Sequence, residues 1–121
     1  MSVFEDFDHH LAYRAAAELV DFVYQLEDRF PEDELLLLFM RLREAAAEVG
    51  ARIAQGFGRD GLDADGGLSE ATVRQAKGEL CRLRHYVLTS QQRFFVDERQ
   101  MREFDELYAK ITAALARPAR A

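Results

Sequence analysis

One cysteine, Cys81, is all the chain contains, so no disulfide can form within it. A lone thiol suits a reducing compartment, and a cytoplasmic location is expected. Prolines number only two, Pro31 and Pro118, which leaves long stretches free of helix breakers. No apolar run approaches the roughly 20 residues of a membrane span, so no membrane partner is expected. The opening MSVFEDFDHH is acidic and has no basic region ahead of an apolar one, which argues against a secretory signal. Excess positive charge is missing too: 16 Lys and Arg face 22 Asp and Glu, a formal net charge of −6. That is a poor electrostatic footprint for general nucleic-acid binding, though it leaves a local basic face open. Strand signals are absent, with no sustained apolar–polar alternation and few β-branched runs.

What the chain does have is helical periodicity, in 121 residues that suffice for one domain with a real core. Leu11, Ala15, Leu19, Phe22, Leu26 and Phe30 recur every three or four residues and predict a helix over 8–29. Pro31 breaks the pattern and suits the start of a second helix, 32–57, carried by Leu35, Leu38, Leu42, Ala45, Val49 and Ile53. Gly56 and Gly58 are expected to stop it. GRDGLDADGGLS then reads as a mobile loop over 58–68. Ser69 is a good N-cap for a third helix, 69–94, with Val73, Ala76, Leu80, Leu83, Val87 and Phe94 on its apolar face. Asp97 with Gln100 makes a capping box for a fourth, 98–116, along Met101, Phe104, Tyr108, Ile111 and Leu115, and Pro118 falls just past its end. Short connections between such helices predict an all-α, antiparallel up-down four-helix bundle, a single domain over 1–121.

The helices differ in the width of their apolar arcs. The fourth confines its large apolar side chains to about a third of the wheel. The second carries Leu36, Met40, Ala47 and Ala54 beside its core stripe, with Arg43 among them, so more than half of its circumference is apolar. One bundle does not need that much apolar surface on one helix, so an oligomer interface through Leu36, Met40, Arg43, Ala47 and Ala54 is expected. The plainer alternative is that the other helices wrap this one centrally.

Candidate chemistry is sparse. The glycines of ARIAQGFGRD follow a helix, where carbonyls point outward, whereas a phosphate loop opens one. Arg59 is better placed to neutralise the helix end. His9 and His10 point about 100° apart on a helix, and His85 is isolated, so no metal site or cofactor is expected. His9 is expected to be solvated. Cys81 reads as a small, partly buried thiol. No nucleophile and base stand in a recognisable order, and no enzymatic activity is expected. Arg74, Lys77 and Arg84 share one side of the third helix and could touch the phosphates of RNA or DNA. The plainer reading, which the charges favour, is a solvated face balancing the acidic first helix with its Glu18, Asp21, Glu27 and Asp28. Tyr86 and Phe94 read as core or interface.

The stretch FPEDELLLLFMRLREAAAEVGARIAQGFGR resembles the four-helix-bundle family of proteins encoded by intervening sequences in bacterial 23S ribosomal RNA genes. Pro31, Glu34, Arg43, Ile53, Ala54, Gly56, Phe57, Gly58 and Arg59 carry the signature, with Phe30, Leu42 and Ala45 around them. Ala76, Gly78, Leu80 and Leu83 fit the family's third-helix run, and Tyr13 sits near its tryptophan. Gly50, Arg52, Gln55, Glu79 and Arg82 depart from the pattern; polar positions have changed while small and apolar ones persist, which favours packing over chemistry. The resemblance implies a bacterial homopentameric ring of four-helix bundles without established enzymatic activity. A related branch, the accessory proteins of diversity-generating retroelements, is strongly basic and binds reverse transcriptase and nucleic acid; the acidic balance here argues against direct transfer of that role. Two roles remain open: a nucleic-acid-associated accessory, or a scaffold whose acidic surface binds a basic protein partner.

Overall fold

The computed structural model describes residues 10–116, and among them the regular structure is helical, with no strand. Helix α1 is Leu11–Gln25, followed by a 3-10 turn at Glu27–Arg29. Helix α2 covers 32–60 in three consecutive parts: an α turn at Glu32–Glu34, a π-helical turn at Leu35–Phe39, and a long α segment at Met40–Asp60. Helices α3, Glu70–Gln92, and α4, Glu98–Leu115, complete the chain. Residues 8 and 9, where the first helix and the solvated His9 were expected, lie outside the described residues, as does Pro118.

Helix α1 starts on an unexpected cap. His10 Nδ1 accepts the Ala12 N–H at 3.1 Å, the task usually given to Ser, Thr, Asp or Asn. Its Nε2–H donates to the Gly66 carbonyl at 3.2 Å, and the side chain is fully buried. Both ring nitrogens are used by the neutral tautomer; a second proton would place a donor against the Ala12 N–H. Burial accordingly pushes the His10 pKa below the ordinary histidine value. The unfolded chain therefore takes up the proton more readily, so this contribution is complete above the ordinary histidine pKa and is lost as the pH falls below it. His10→Ala is expected to cost about 1 kcal/mol at neutral pH. The urea midpoint should fall between about pH 7 and pH 5, and His10→Asn, which can cap without titrating there, should flatten that slope.

The π turn explains the start of α2. A wide turn accommodates one more residue than an α turn and shifts the helical register. Leu38 and Phe39 are consecutive and both buried, whereas Leu36 and Leu37 are 78% and 60% exposed. Phe39 stacks on Phe30 at 5.3 Å between centroids, and Phe30 on Phe95 at 5.0 Å, closing this end of the core.

Helix α2 does not stop at Gly56 or Gly58. It runs on to Asp60, and Gly61 ends it with φ 67°, its N–H donating to the Phe57 carbonyl at 2.8 Å. The positive φ is what selects glycine there. The loop expected over 58–68 is correspondingly shorter and has its own frame. Asp63 Oδ1 accepts the N–H groups of Asp65 and Gly67 at 2.9 and 2.8 Å, and Leu62 and Leu68 form an isolated antiparallel bridge. Ser69 then caps α3 through the Thr72 N–H at 3.2 Å, and Asp97 with Gln100 forms the full capping box of α4.

The helices pack around one core that includes Leu19, Leu42, Ile53, Leu80, Leu83, Phe104 and Ile111. Helix α2 lies between α1 and α3, and α4 packs on α1, while α3 and α4 touch little. Polar pairs mark the seams: Glu18 with Lys110 and Arg29 with Asp97 between α1 and α4, Glu34 with Arg93 and Arg52 with Glu79 between α2 and α3. Glu18, expected to balance the basic side of α3, is thus taken by α4.

Candidate assembly face and the signature around Gly56

The extra apolar face of α2 is uncovered within the chain. Met40 is 36% exposed, Ala47 is exposed, and Arg43 and Ala54 are partly buried, continuing the line begun by Leu36. Two grooves run along this line where α2 meets α1. The first, about 340 Å³, is lined by Tyr13, Ala16, Ala17, Val20 and Asp21 of α1 and by Ala47, Gly50, Ala51 and Ala54 of α2. The second, about 190 Å³, lies among Glu27, Leu35, Leu36, Phe39, Met40 and Arg43. All five residues expected at an interface therefore border one surface. Arg43 has no ion pair among the described residues.

The signature splits by direction. Ile53 and Phe57 are buried in the core. Gly56 lies where α2 crosses α3: a methyl group built on it would fall on the Thr72 side chain, 2.6 Å from Thr72 Cβ. Two residues on, a methyl group at Gly58 would meet no atom within 4 Å, and nothing in the packing requires glycine there. Pro31 is the N-cap of α2, and Glu34 reaches Arg93 at the end of α3 at 3.2 Å. Arg59 is paired with a carboxylate and not with the helix-end carbonyls. Its Nε and Nη2 donate to Asp60 at 3.0 and 2.8 Å, and Nη2 also reaches the Thr72 hydroxyl at 3.4 Å. Ser69 Oγ donates to Asp60 at 2.7 Å. The end of α2 is thereby tied to the cap of α3. The Arg59 guanidinium, and then the Ser69 hydroxyl, hold the Asp60 carboxyl down to about 2. This link survives the mild acid that charges His10 and is lost only as the pH falls below the ordinary carboxylate range.

The departures from the family pattern at Arg52, Glu79 and Arg82 turn out to be one network. Glu79 pairs with Arg82 at 3.0 Å and with Arg52 at 3.6 Å. Beyond it, Arg82 stands 6.0 Å from the centroid of the Tyr86 ring. The guanidinium groups of Arg41 and then Arg82 draw the Tyr86 pKa down.

Arg74, Lys77 and Arg84 are exposed along one side of α3, and none has an ion pair among the described residues. Cys81 lies on the same stripe and is exposed, not partly buried as its position beside the core stripe suggested, because α3 and α4 leave that side open. It adjoins Tyr108, whose phenol is pushed up by burial and then by Cys81. Among the described residues no cluster of three His, Cys, Asp or Glu is placed to hold a metal ion, and no helix is long and apolar enough to cross a membrane.

Phe94 departs most from expectation. Instead of extending the core stripe of α3 it lies beyond the helix, 87% exposed, with φ 66°. The Phe95 N–H donates to the Ser90 carbonyl and the Phe94 N–H to that of Gln91, each at 2.9 Å. This is a Schellman ending, with phenylalanine in the left-handed position that glycine normally takes. Periodicity alone could not reveal it, because residue 94 continues the 3-4 spacing past the last helical turn.

Together these features define an all-helical protein whose four helices bury one core and leave a second apolar face open. The family model for the 23S rRNA-intervening sequence protein matches residues 8–117, and the chain belongs to that family. No curated protein matches it.

Proposed function

We propose that this family member is a non-catalytic binding protein, an antiparallel up-down four-helix bundle that assembles into a homo-oligomeric ring through the α1–α2 face. The observation that carries this reading is the exposure along one helix. Leu36 is 78% and Met40 36% exposed, while Leu38 and Leu42, on the same helix, are 8% and 0% exposed. Contiguous apolar surface of this kind marks an interface in a soluble protein. The polar pairs that join the helices support the up-down arrangement, and a ring of five is what the family resemblance implies. Light scattering should give a mass several times the 13.9 kDa of one chain. Leu36→Asp with Met40→Asp should return it to that single-chain mass with helicity intact. Wild-type protein that stays monomeric would remove the reading.

For the role of the ring, the unpaired Arg74, Lys77 and Arg84 favour contact with structured RNA or DNA. Binding in a gel shift should weaken steeply with salt, and Arg74→Glu with Arg84→Glu should abolish it. Absence of binding at low salt would leave the other role, a scaffold for a basic protein, which Asp21 and Glu27 support: neither has an ion pair among the described residues.

A further inference from the structure

Phe94 is costly to the isolated subunit in two ways. Its left-handed backbone strains any residue with a Cβ, and its ring is left in water, 87% exposed. Among the described residues nothing covers the ring. Local strain of this kind persists where the residue serves something outside the fold.

A receptor for the ring exists on another face of the same molecule. The groove over Gly50, between α1 and α2, holds about 340 Å³ and is walled by Tyr13 and Val20. A cavity of roughly 150 Å³ is enough for a benzene ring. The charges at the two places are complementary. Arg93, beside Phe94, is paired with Glu34 at 3.2 Å yet keeps its side chain 57% exposed, so it can also face a second carboxylate, and Asp21 stands on the groove, exposed and without an ion pair among the described residues. The knob lies at the corner between α3 and α4, so a chain cannot fill its own groove. Two unlike surfaces on one chain allow a head-to-tail contact that repeats from copy to copy and can close into a ring.

We propose that Phe94 of one copy seats in the α1–α2 groove of the next, with Arg93 meeting Asp21, and that this is the repeating contact of the ring. The inference rests on the ring reading above and specifies its geometry. Phe94→Ala and Phe94→Gly should both run at the mass of one chain in light scattering. Of these two monomers the glycine variant should melt higher, by about 3 °C, because glycine accepts the left-handed backbone. Ala47→Trp, at an exposed wall position, should block the groove and also give a folded monomer by circular dichroism. Mixing Phe94→Gly with Ala47→Trp is the sharpest test. One partner keeps the knob and the other keeps the groove, so the mixture should form pairs of chains and nothing larger. A Phe94→Gly protein that still assembles, or a mixture that stays monomeric, would overturn the proposal while leaving the ring standing. Monomeric wild-type protein would instead remove the ring, and is seen before any variant is made.

Discussion

Gly56→Ala is expected to destabilise the protein by about 3 kcal/mol, a large share of the 5–15 kcal/mol typical of a domain. The added methyl group lands on Oγ1 and Cγ2 of Thr72 and lies 2.6 Å from its Cβ. Thr72 cannot easily give way. It is fully buried, and its hydroxyl sits 2.8 Å from Ser69 Oγ and 3.4 Å from Arg59. Relief therefore requires α2 and α3 to separate, which pulls on the cap of α3 and on the Arg59–Asp60 pair together. Urea unfolding should show the midpoint fall with an unchanged slope, and Thr72→Ala in the same chain should recover part of the loss. Gly58→Ala is the control. Its methyl group points into open space on a helix, so it should stabilise by up to about 1 kcal/mol. Equal effects at the two glycines would mean that α2 and α3 do not cross at Gly56.

Phe104→Ala should cost about 4 kcal/mol, the largest loss expected from a single truncation here. The ring is fully buried, 5.9 Å from that of Phe22 and 5.8 Å from that of Tyr108 between centroids. Helix α4 has little contact with α3, so its attachment depends on the seam with α1 that Phe104 fills. The surface ion pairs Glu18–Lys110 and Arg29–Asp97 cannot compensate, since exposed pairs contribute at most about 1 kcal/mol each. Thermal unfolding followed by circular dichroism would measure it. A loss below about 1 kcal/mol would show that the site collapses around the missing ring.

The stripes of the second and third helices were legible because buried faces repeat at the helical period. Leu38, Leu42, Ala45, Val49 and Ile53 are all buried, as are Ala76, Leu80, Leu83 and Val87. Glycine was harder. Three glycines near the end of α2 are alike in sequence, but Gly56 answers to a neighbouring helix, Gly61 to a positive φ, and Gly58 to neither. Only the position of Thr72 separates the first from the last. His10 was unreadable as a cap because the Gly66 carbonyl that holds its other ring nitrogen lies 56 residues away. The uncovered face of α2 could be read from the width of its arc, but the π turn could not. Four consecutive leucines satisfy an α and a π register equally well. The basic side of α3 was visible, whereas its lack of acidic partners depended on Glu18 finding Lys110 first.

The π turn at Leu35–Phe39 also bears on how α2 would tolerate a change in its length. A widened turn is how a helix absorbs a single inserted residue without rotating the turns beyond it. A relative one leucine shorter in this run would close it as ordinary α-helix and keep every side chain from Met40 onward in place. Leu36 and Leu37 would then change their bearing, so the length of the leucine run can retune the outer surface while the core below is inherited unaltered.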